Sequence, residues 1–344
     1  MNASPWIYAG VAVAVAAAVR VFEDQAFRIG LLDKPNERSS HSRPTPRGGG
    51  LVFVVAWTLA LFVQWALGAL ETREFAALAI GLLVAAVGLV DDLRGVPARV
   101  RIVIHLVAAT AGVLALGDGC RLALGSGFVL FGIAAKALAV LGIVWSINLF
   151  NFMDGTDGIA GSEALFVLAL GGAMLAGPLG TGPSTAAWTL AACQAGFLVR
   201  NWPKAKVFMG DVGSGFLGYT IAVFALLGER RGTPALTWAI PYGLFAFDAT
   251  ATLLRRMAAG EVWYSAHRSH AYQRLHHHAK WTHRRVLLGA WGVNVLLGAI
   301  TYAAFRDPGH VPRMIGVAFV VLAAVYVAIE KVAPMRGDGT KRAQ

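Results

Sequence analysis

Charged residues are scarce in this chain: Asp, Glu, Lys and Arg together make up 14% of its 344 residues, against about 25% in a typical soluble domain. Hydrophobic residues make up 57%, and the mean hydropathy is +0.60. A chain with so few charged groups is far more apolar than a water-soluble fold. The composition therefore excludes a soluble globular protein and predicts an integral membrane protein.

Two further patterns are missing. The chain has two cysteines, Cys120 and Cys193, which are too few for a disulfide framework. Strands of alternating polar and apolar residues, the signature of a membrane β-barrel, do not recur either. Apolar runs of about 16 to 20 residues recur instead, as membrane-spanning helices require. We therefore predict an all-α integral membrane protein with about eleven spans.

The predicted spans cover the chain from end to end, so residues 1–344 are interpreted as one polytopic membrane domain. The first apolar run is expected to be retained, because its first basic residue, Arg20, follows the run instead of preceding it. The spans are placed at roughly 6–22, 51–70, 75–90, 102–116, 128–149, 162–177, 186–199, 213–227, 235–253, 286–305 and 314–332.

Basic residues are distributed unevenly between alternate loops. One set of loops and ends carries 22 Lys and Arg residues and the other carries 6. Because cytoplasmic loops are enriched in basic residues, the N-terminus is predicted outside and the C-terminus in the cytoplasm. The net charge of +11 then indicates an anionic membrane leaflet and an anionic substrate, with no nucleic acid partner. The cytoplasmic loops are 23–50, 91–101, 148–161, 200–214 and 255–285.

Residues 148–161 place two amides and two carboxylates at intervals of three, directly after an apolar run. In a helix, Asn148, Asn151 and Asp154 fall on one stripe, and the glycines that follow favour a looser backbone that turns Asp157 toward the same ligand. An Asx-rich turn that closes the helix is the alternative. Polar side chains inside an apolar segment are costly, which favours a functional site.

Two more acidic motifs lie at predicted cytoplasmic ends of spans. Asp91 and Asp92 repel each other unless a cation or proton lies between them, so they are candidate metal ligands or general bases. A helix end that only marks the interface is the alternative. Asp211 and Ser214 open the eighth span, where backbone N–H groups favour phosphate and a carboxylate favours Mg²⁺. Asp211 as a simple N-cap is the alternative.

Two loops add basic groups. Thr45 and Arg47 precede three glycines, whose backbone amides are open to an anion; a solvated basic loop is the alternative. The loop 255–285 holds most of the nine histidines, with His267, His270 and Arg274 among its residues. It lacks the paired Cys and His of structural zinc sites. Its basic and aromatic groups suit a diphosphate or a nucleobase better.

Taken together and in this order, the motifs resemble the polyprenyl-phosphate N-acetylhexosamine-1-phosphate transferases, also called glycosyl transferase family 4, over nearly the whole chain. The run His-Arg-Ser-His-Ala-Tyr-Gln-Arg at 267–274 is similar to the form found in O-antigen initiators. The triple histidine of the peptidoglycan branch is not at that position, and His276 to His278 lie further on. This difference argues against a muramoyl-pentapeptide donor.

The resemblance implies a bundle of ten or eleven transmembrane helices in the bacterial inner membrane, with the active site on the cytoplasmic face. It implies transfer of a sugar 1-phosphate from a UDP-N-acetylhexosamine to undecaprenyl phosphate, with release of UMP. Mg²⁺ is the implied cofactor, with Mn²⁺ as the alternative. The donor, UDP-GlcNAc or a 6-deoxy relative such as UDP-N-acetylfucosamine or UDP-N-acetylquinovosamine, and the formation of a homodimer stay open.

The resemblance also implies roles for the residues named above. The implied metal ligands are Asp211 and Asp91. The implied catalytic residues are Asp91, Asp92, Asp154, Asp157 and His267. The implied substrate-binding residues are Thr45, Arg47, Asn148, Asn151, Ser214, His270 and Arg274.

Two other classes of protein compete with this interpretation. A CDP-alcohol phosphotransferase needs an Asp-Gly pair followed closely by Ala-Arg, and the run Asp-Gly-Ile-Ala-Gly at 157–161 lacks the arginine. A transporter places its ionisable groups near the membrane midplane, whereas these carboxylates are predicted at one face. Both patterns favour the transferase.

The predicted topology can be tested by labelling. Because basic residues mark the cytoplasmic loops, a single cysteine introduced by Ser265→Cys should react with an impermeant maleimide only from the cytoplasmic side. A single cysteine introduced by Gly309→Cys should react only from the outside. The reverse pattern would overturn the orientation.

Overall fold

A computed structural model of the chain describes residues 4–29, 31–33, 43–117, 121–125, 128–176, 181–261 and 267–335. Parts of the predicted loops 23–50 and 255–285, with Ser265 among them, lie outside these ranges. Within them the chain forms thirteen α-helices. They are α1 Pro5–Ile29, α2 Gly50–Ala66, α3 Thr72–Ala79, α4 Gly81–Arg94, α5 Ala98–Ala115, α6 Gly132–Met153, α7 Ile159–Leu175, α8 Gly182–Asn201, α9 Asp211–Arg230, α10 Gly243–Ala258, α11 Ala271–His277, α12 His283–Arg306 and α13 Val311–Val332.

Two short antiparallel ribbons lie between the helices. In the first, β1 Leu32–Asp33 pairs with β2 Thr45–Pro46, so that Asp33 lies opposite Thr45. In the second, β3 Arg121–Gly125 pairs with β4 Phe128–Phe131. The first ribbon leads directly into α2 and therefore holds Arg47 close to the start of that helix.

Each predicted span overlaps an α-helix, and the third overlaps α3 and α4 together. Two spans are placed too early: 128–149 begins in β4, before α6, and 235–253 begins in a 3-10 turn, before α10. Among the described residues, seven helices are long and apolar enough to cross a membrane, with α3 and α4 counted as one span, Thr72–Arg94. Helices α2 and α7 are apolar but shorter. The all-α membrane class is thus confirmed, whereas the number of crossings and the orientation stay predictions.

Helix α9 lies at the centre of the bundle. It packs against α2, α4, α6 and α7. In its most apolar stretch 83% of the residues are buried, whereas in the corresponding stretches of α1 and α13 only 11% are. Trp57 of α2 meets Phe216 and Phe224 of α9 edge to face, with ring centroids 5.5 and 6.3 Å apart. The first residues of α9 are consequently surrounded by the ends of several other helices.

Glycines permit this close packing at the start of α9. A Cβ at Gly88 of α4 would lie 2.4 Å from the carbonyl oxygen of Asp211, and one at Gly210 would lie 2.4 Å from Oδ2 of Asp92. Gly210 also has a positive φ of 75°, a conformation that side chains with a Cβ rarely adopt. Both positions let the acidic end of α4 touch the first turn of α9.

Candidate active site

Five charged side chains meet where α2, α5 and α9 begin and α4 ends. Arg47 Nε lies 2.7 Å from Asp92 Oδ1, and its Nη2 donates to Asp211 Oδ1 at 3.0 Å. Arg101 Nη1 donates to Asp91 Oδ2 at 2.7 Å and to Asp211 Oδ2 at 3.0 Å. Asp211 therefore bridges both arginines. We call these five residues the charge cluster.

Asp92 caps the first turn of α9. Its two oxygens accept the backbone N–H groups of Asp211 and Val212 at 3.0 and 3.1 Å, and its side chain is fully buried. A carboxylate at this place satisfies two of the otherwise unpaired N–H groups and interacts favourably with the helix dipole. The described contacts of Asp92 are thus those of a helix cap, and its catalytic role stays a prediction.

The charges of the cluster depend on one another. Burial lowers the pKa of Arg47, but the carboxylates of Asp92 and Asp211 outweigh burial and hold the pKa above its usual value. Asp91 accepts the backbone N–H of Val96 in the turn between α4 and α5 in addition to Arg101. Asp91 therefore links the turn between α4 and α5 to the charge cluster.

Asp154 lies just after the end of α6 and adds negative charge beside the cluster. Burial, and next the negative charge of Asp211, raise the pKa of Asp154 to about 7. Within the described part of the chain, no side chain donates a hydrogen bond to this carboxylate. Asp154 and the cluster thus hold four carboxylates with two arginines, an excess that attracts a cation.

The predicted polar stripe on α6 is only partly directed at α9. Asn151 Nδ2 donates to Ser214 Oγ at 3.2 Å, so this pair joins α6 to α9 as expected. Asn148 Nδ2 donates to the carbonyl of Val144 in its own helix. Asn148 and Asn151 still line a small cleft together with Arg101 and Asp211, with a volume of about 30 Å³, room for roughly two water molecules.

Asp157 has other partners than the charge cluster. Its Oδ2 accepts the backbone N–H of Ala205 at 3.0 Å and lies 3.0 Å from Nδ1 of His283. These contacts join the segment after α6 to the turn before α9 and to the first residue of α12. The contacts described for Asp157 are thus with these two elements, and its predicted catalytic role stays untested.

We call the described part of the loop 255–285 the histidine loop. It lies against the end of α6. The rings of His267 and His270 are 4.8 Å apart, and His270 is the N-cap residue of α11. Tyr272 of α11 donates its hydroxyl to the carbonyl of Phe152 at 3.1 Å, and a Cβ at Gly155 would lie 2.2 Å from that hydroxyl. The loop and the segment that carries Asp154 are therefore in direct contact.

Two predicted substrate-binding residues bind other parts of the protein. Arg274 is fully buried and donates to Glu330 Oε2 and to the carbonyl of Ala333, each at 2.6 Å. Thr45 is largely buried and donates to the carbonyl of Arg43 at 3.1 Å. A buried guanidinium requires an anion beside it, and Glu330 meets that need. The described contacts of Arg274 thus join α11 to the end of α13, and its predicted substrate-binding role stays a prediction.

Three residues of this region were not assigned a role from the sequence. Arg101 binds two carboxylates of the cluster, Asp248 accepts the first N–H groups of α11, and Glu330 binds Arg274. Arg101 belongs to the basic run that follows Asp91 and Asp92, and this run is the sequence signal for it. Asp248 and Glu330 lie within apolar helices, where an acidic side chain is itself a signal of function.

The residues present are compatible with Mg²⁺. Among the described residues, no three His, Cys, Asp or Glu side chains are grouped as a complete protein metal site. Mg²⁺ is commonly held by one or two carboxylates together with substrate phosphates. Asp211 and Asp154 offer such oxygens. Burial, and next the charge of Asp211, raise the pKa of Asp154, and a cation beside it would favour its ionised form.

Comparison with known proteins identifies the family. The family model described as glycosyl transferase family 4 matches residues 75–229. A probable undecaprenyl-phosphate N-acetylglucosaminyl 1-phosphate transferase of Bacillus subtilis (strain 168) is 32% identical over 268 residues, which cover 73% of this chain and 71% of that protein. The chain belongs to the polyprenyl-phosphate N-acetylhexosamine-1-phosphate transferases of glycosyl transferase family 4.

Further relatives of this transferase are named for two different sugar groups. A decaprenyl-phosphate N-acetylglucosaminephosphotransferase of Mycolicibacterium smegmatis is 30% identical, over 87% of this chain and 82% of that protein. A phospho-N-acetylmuramoyl-pentapeptide-transferase of Moorella thermoacetica is also 30% identical, over 74% and 82%. The family model spans Asp91, Asp92, Asp154 and Asp211 but ends before α10, so the histidine loop of the transferase lies outside it.

The capping role of Asp92 predicts a loss of stability in Asp92→Ala. This change removes the acceptor of two backbone N–H groups, and loss of a cap typically costs about 0.5–2 kcal/mol. We expect the upper end of this range, because Arg47 also loses a partner. Thermal unfolding of the purified transferase in detergent measures the effect, with the half-exposed Asp24→Ala as the control. Equal midpoints for the two variants would contradict the capping role.

Proposed function

We propose that this transferase moves an N-acetylhexosamine 1-phosphate from a UDP-sugar to undecaprenyl phosphate and releases UMP. The reaction would be the first membrane step of O-antigen or other cell-envelope polysaccharide synthesis, on the cytoplasmic face of the bacterial inner membrane. The observation that carries this proposal is the charge cluster at the start of α9, where Arg47 and Arg101 are held by Asp91, Asp92 and Asp211. The names of the relatives support it.

The cluster suits a reaction between phosphates. A phosphate that attacks a diphosphate brings together two negative groups, so neutralising their charge and aligning them are the main tasks. Arg47 and Arg101 are one-third exposed and already oriented by carboxylates. Guanidinium groups bind phosphate oxygens in pairs of hydrogen bonds. The two arginines can therefore receive phosphate oxygens without first being ordered.

The proposed cofactor is Mg²⁺, with Mn²⁺ as the alternative. Asp211 would hold the ion, with help from Asp91 and Asp154. When bound, the ion supplies positive charge that stabilises the developing charge on the phosphates. The protein groups then keep separate tasks: Asp92 holds α9, the arginines orient phosphate oxygens, and Asn151 with Ser214 keeps α6 beside the site.

We propose UDP-GlcNAc or a 6-deoxy relative as the donor. Relatives named for N-acetylglucosamine and for muramoyl-pentapeptide have nearly the same identity to this chain, so identity alone does not separate the two donors. The sequence at 267–274 supports this choice, because the triple histidine of the peptidoglycan branch is not at that position and His276 to His278 lie further on.

The function is tested with purified transferase, undecaprenyl phosphate and a panel of UDP-sugars, with UMP release as the measurement. We expect release with UDP-GlcNAc or a 6-deoxy N-acetylhexosamine donor, none with UDP-N-acetylmuramoyl-pentapeptide, and none without the lipid. Excess chelator should abolish release, and added Mg²⁺ should restore it. Release that persists in chelator would refute the proposed role of the metal, and release without the lipid would refute the proposed acceptor.

Two aspartates of the site should differ in their effect on the metal. We expect Asp211→Asn to abolish turnover and to raise the Mg²⁺ requirement more than Asp154→Asn does. Asp211 is the proposed direct ligand, whereas the loss of a supporting group typically costs about 10- to 100-fold in affinity or activity. Magnesium titrations of UMP release at matched folding measure the difference. Near-normal activity of Asp211→Asn beside an inactive Asp154→Asn would exchange the two assignments.

A further inference from the structure

Helix α13 contacts the histidine loop and the end of α10 through charged side chains. Glu330 of α13 accepts Arg255 Nη1 at 2.6 Å and Nη2 at 3.1 Å, which is a two-point contact with the end of α10. The same carboxylate accepts Arg274 Nη1 of α11 at 2.6 Å. The ring of Tyr326, one turn earlier on α13, lies 5.3 Å from the Arg274 guanidinium carbon. We call these four residues the α13 clamp.

The charge of Arg274 depends on Glu330. The Arg274 side chain is 1% exposed, whereas that of Glu330 is 29% exposed, so only the carboxylate can be partly hydrated. Two nitrogens of Arg274, Nε and Nη2, have no hydrogen-bond partner among the described residues. A buried cation that loses its anion is strongly unfavourable. Removal of the Glu330 charge should therefore displace Arg274 and the helix that carries it.

Helix α11 is short and is attached at its start and in its middle. At its start, Asp248 of α10 accepts the N–H groups of Ala271 and Tyr272 at 2.8 and 3.4 Å. In its middle, Arg274 reaches Glu330 of α13. Between these points Tyr272 binds the carbonyl of Phe152, next to the Asp154 segment. A helix of seven residues has little stability of its own, so these attachments determine where it lies.

We propose that Glu330 is a positioning residue of the transferase: through Arg274 it holds α11 so that His267 and His270 stay beside the Asp154 segment. The proposal rests on the proposed function, in which these histidines contact the donor diphosphate. It assigns a role to α13, which lies outside the matched family segment. The predicted substrate-binding role of Arg274 is thereby replaced by an indirect one.

The kinetic test compares Glu330→Gln, Glu330→Asp and the control Lys331→Gln, whose side chain is exposed on the same turn. Gln keeps the shape of Glu330 but loses the charge, so we expect the KM for the UDP-sugar to rise about tenfold. The KM for undecaprenyl phosphate and the Mg²⁺ midpoint should stay unchanged. Glu330→Asp should recover most of the loss, and Lys331→Gln should match the wild type.

This pattern separates positioning from a folding defect. A partly unfolded sample lowers kcat in proportion to the active fraction and leaves KM unchanged, because KM does not depend on enzyme concentration. In an Arg274→Met background, Glu330→Gln should add little to the KM effect, since coupled residues are not additive. An unchanged KM in Glu330→Gln, or a full additional effect in the Arg274→Met background, would overturn the proposal.

A second measurement needs no activity. Hydrogen exchange of the protein without substrate should become faster in residues 267–277 of Glu330→Gln, and should stay unchanged in residues 91–101 of the charge cluster. If the wild type releases no UMP with any donor, the proposed function fails and exchange alone decides the clamp. Unchanged exchange in residues 267–277 would overturn the clamp, whatever the activity.

Discussion

A carboxylate remains ionised away from bulk water only beside positive charge or hydrogen-bond donors, and Asp92 imposes this constraint on the bundle. Its side chain is fully buried, and it is satisfied by Arg47 and by two N–H groups of α9. These partners come from two other stretches of chain, the residues before α2 and the start of α9. The ends of α2, α4 and α9 must therefore converge, and Arg101 of α5 joins them through Asp91 and Asp211.

A second buried carboxylate caps a neighbouring helix at the histidine loop. Asp248 lies in α10 and accepts the first N–H groups of α11, as Asp92 of α4 does for α9. In both places an acidic side chain of one helix fixes the start of another helix that bears candidate site residues. The carboxylates of Asp92 and Asp248 thus orient helices in addition to supplying negative charge. A substitution of either residue is expected to shift the helix that it caps, and with it the candidate site residues on that helix.

Apolar runs predicted the helices well, because the length of a run determines whether it can cross a membrane. The acidic motifs also predicted which residues meet, since Asp91, Asp92, Asp154 and Asp211 lie at one end of the bundle. The sequence could not show that Arg274 binds Glu330, or that Asp157 contacts Ala205 and His283. Spacing along a helix determines which face a residue occupies, but the choice of a tertiary partner depends on how distant helices pack.

The distances along the chain between partners have a consequence for biogenesis. Arg47 and Asp211 are 164 residues apart, and Asp92 and the N–H group that it caps are 119 apart, whereas Arg101 and Asp91 are separated by 10. During synthesis the nearby pair can form as soon as α5 emerges. Asp92 and Arg47, in contrast, lack the first turn of α9 until the four helices α5 to α8 have been made and α9 has begun. A chain that ends before α9 therefore leaves the buried Asp92 carboxylate without the two N–H groups that it accepts in the finished protein.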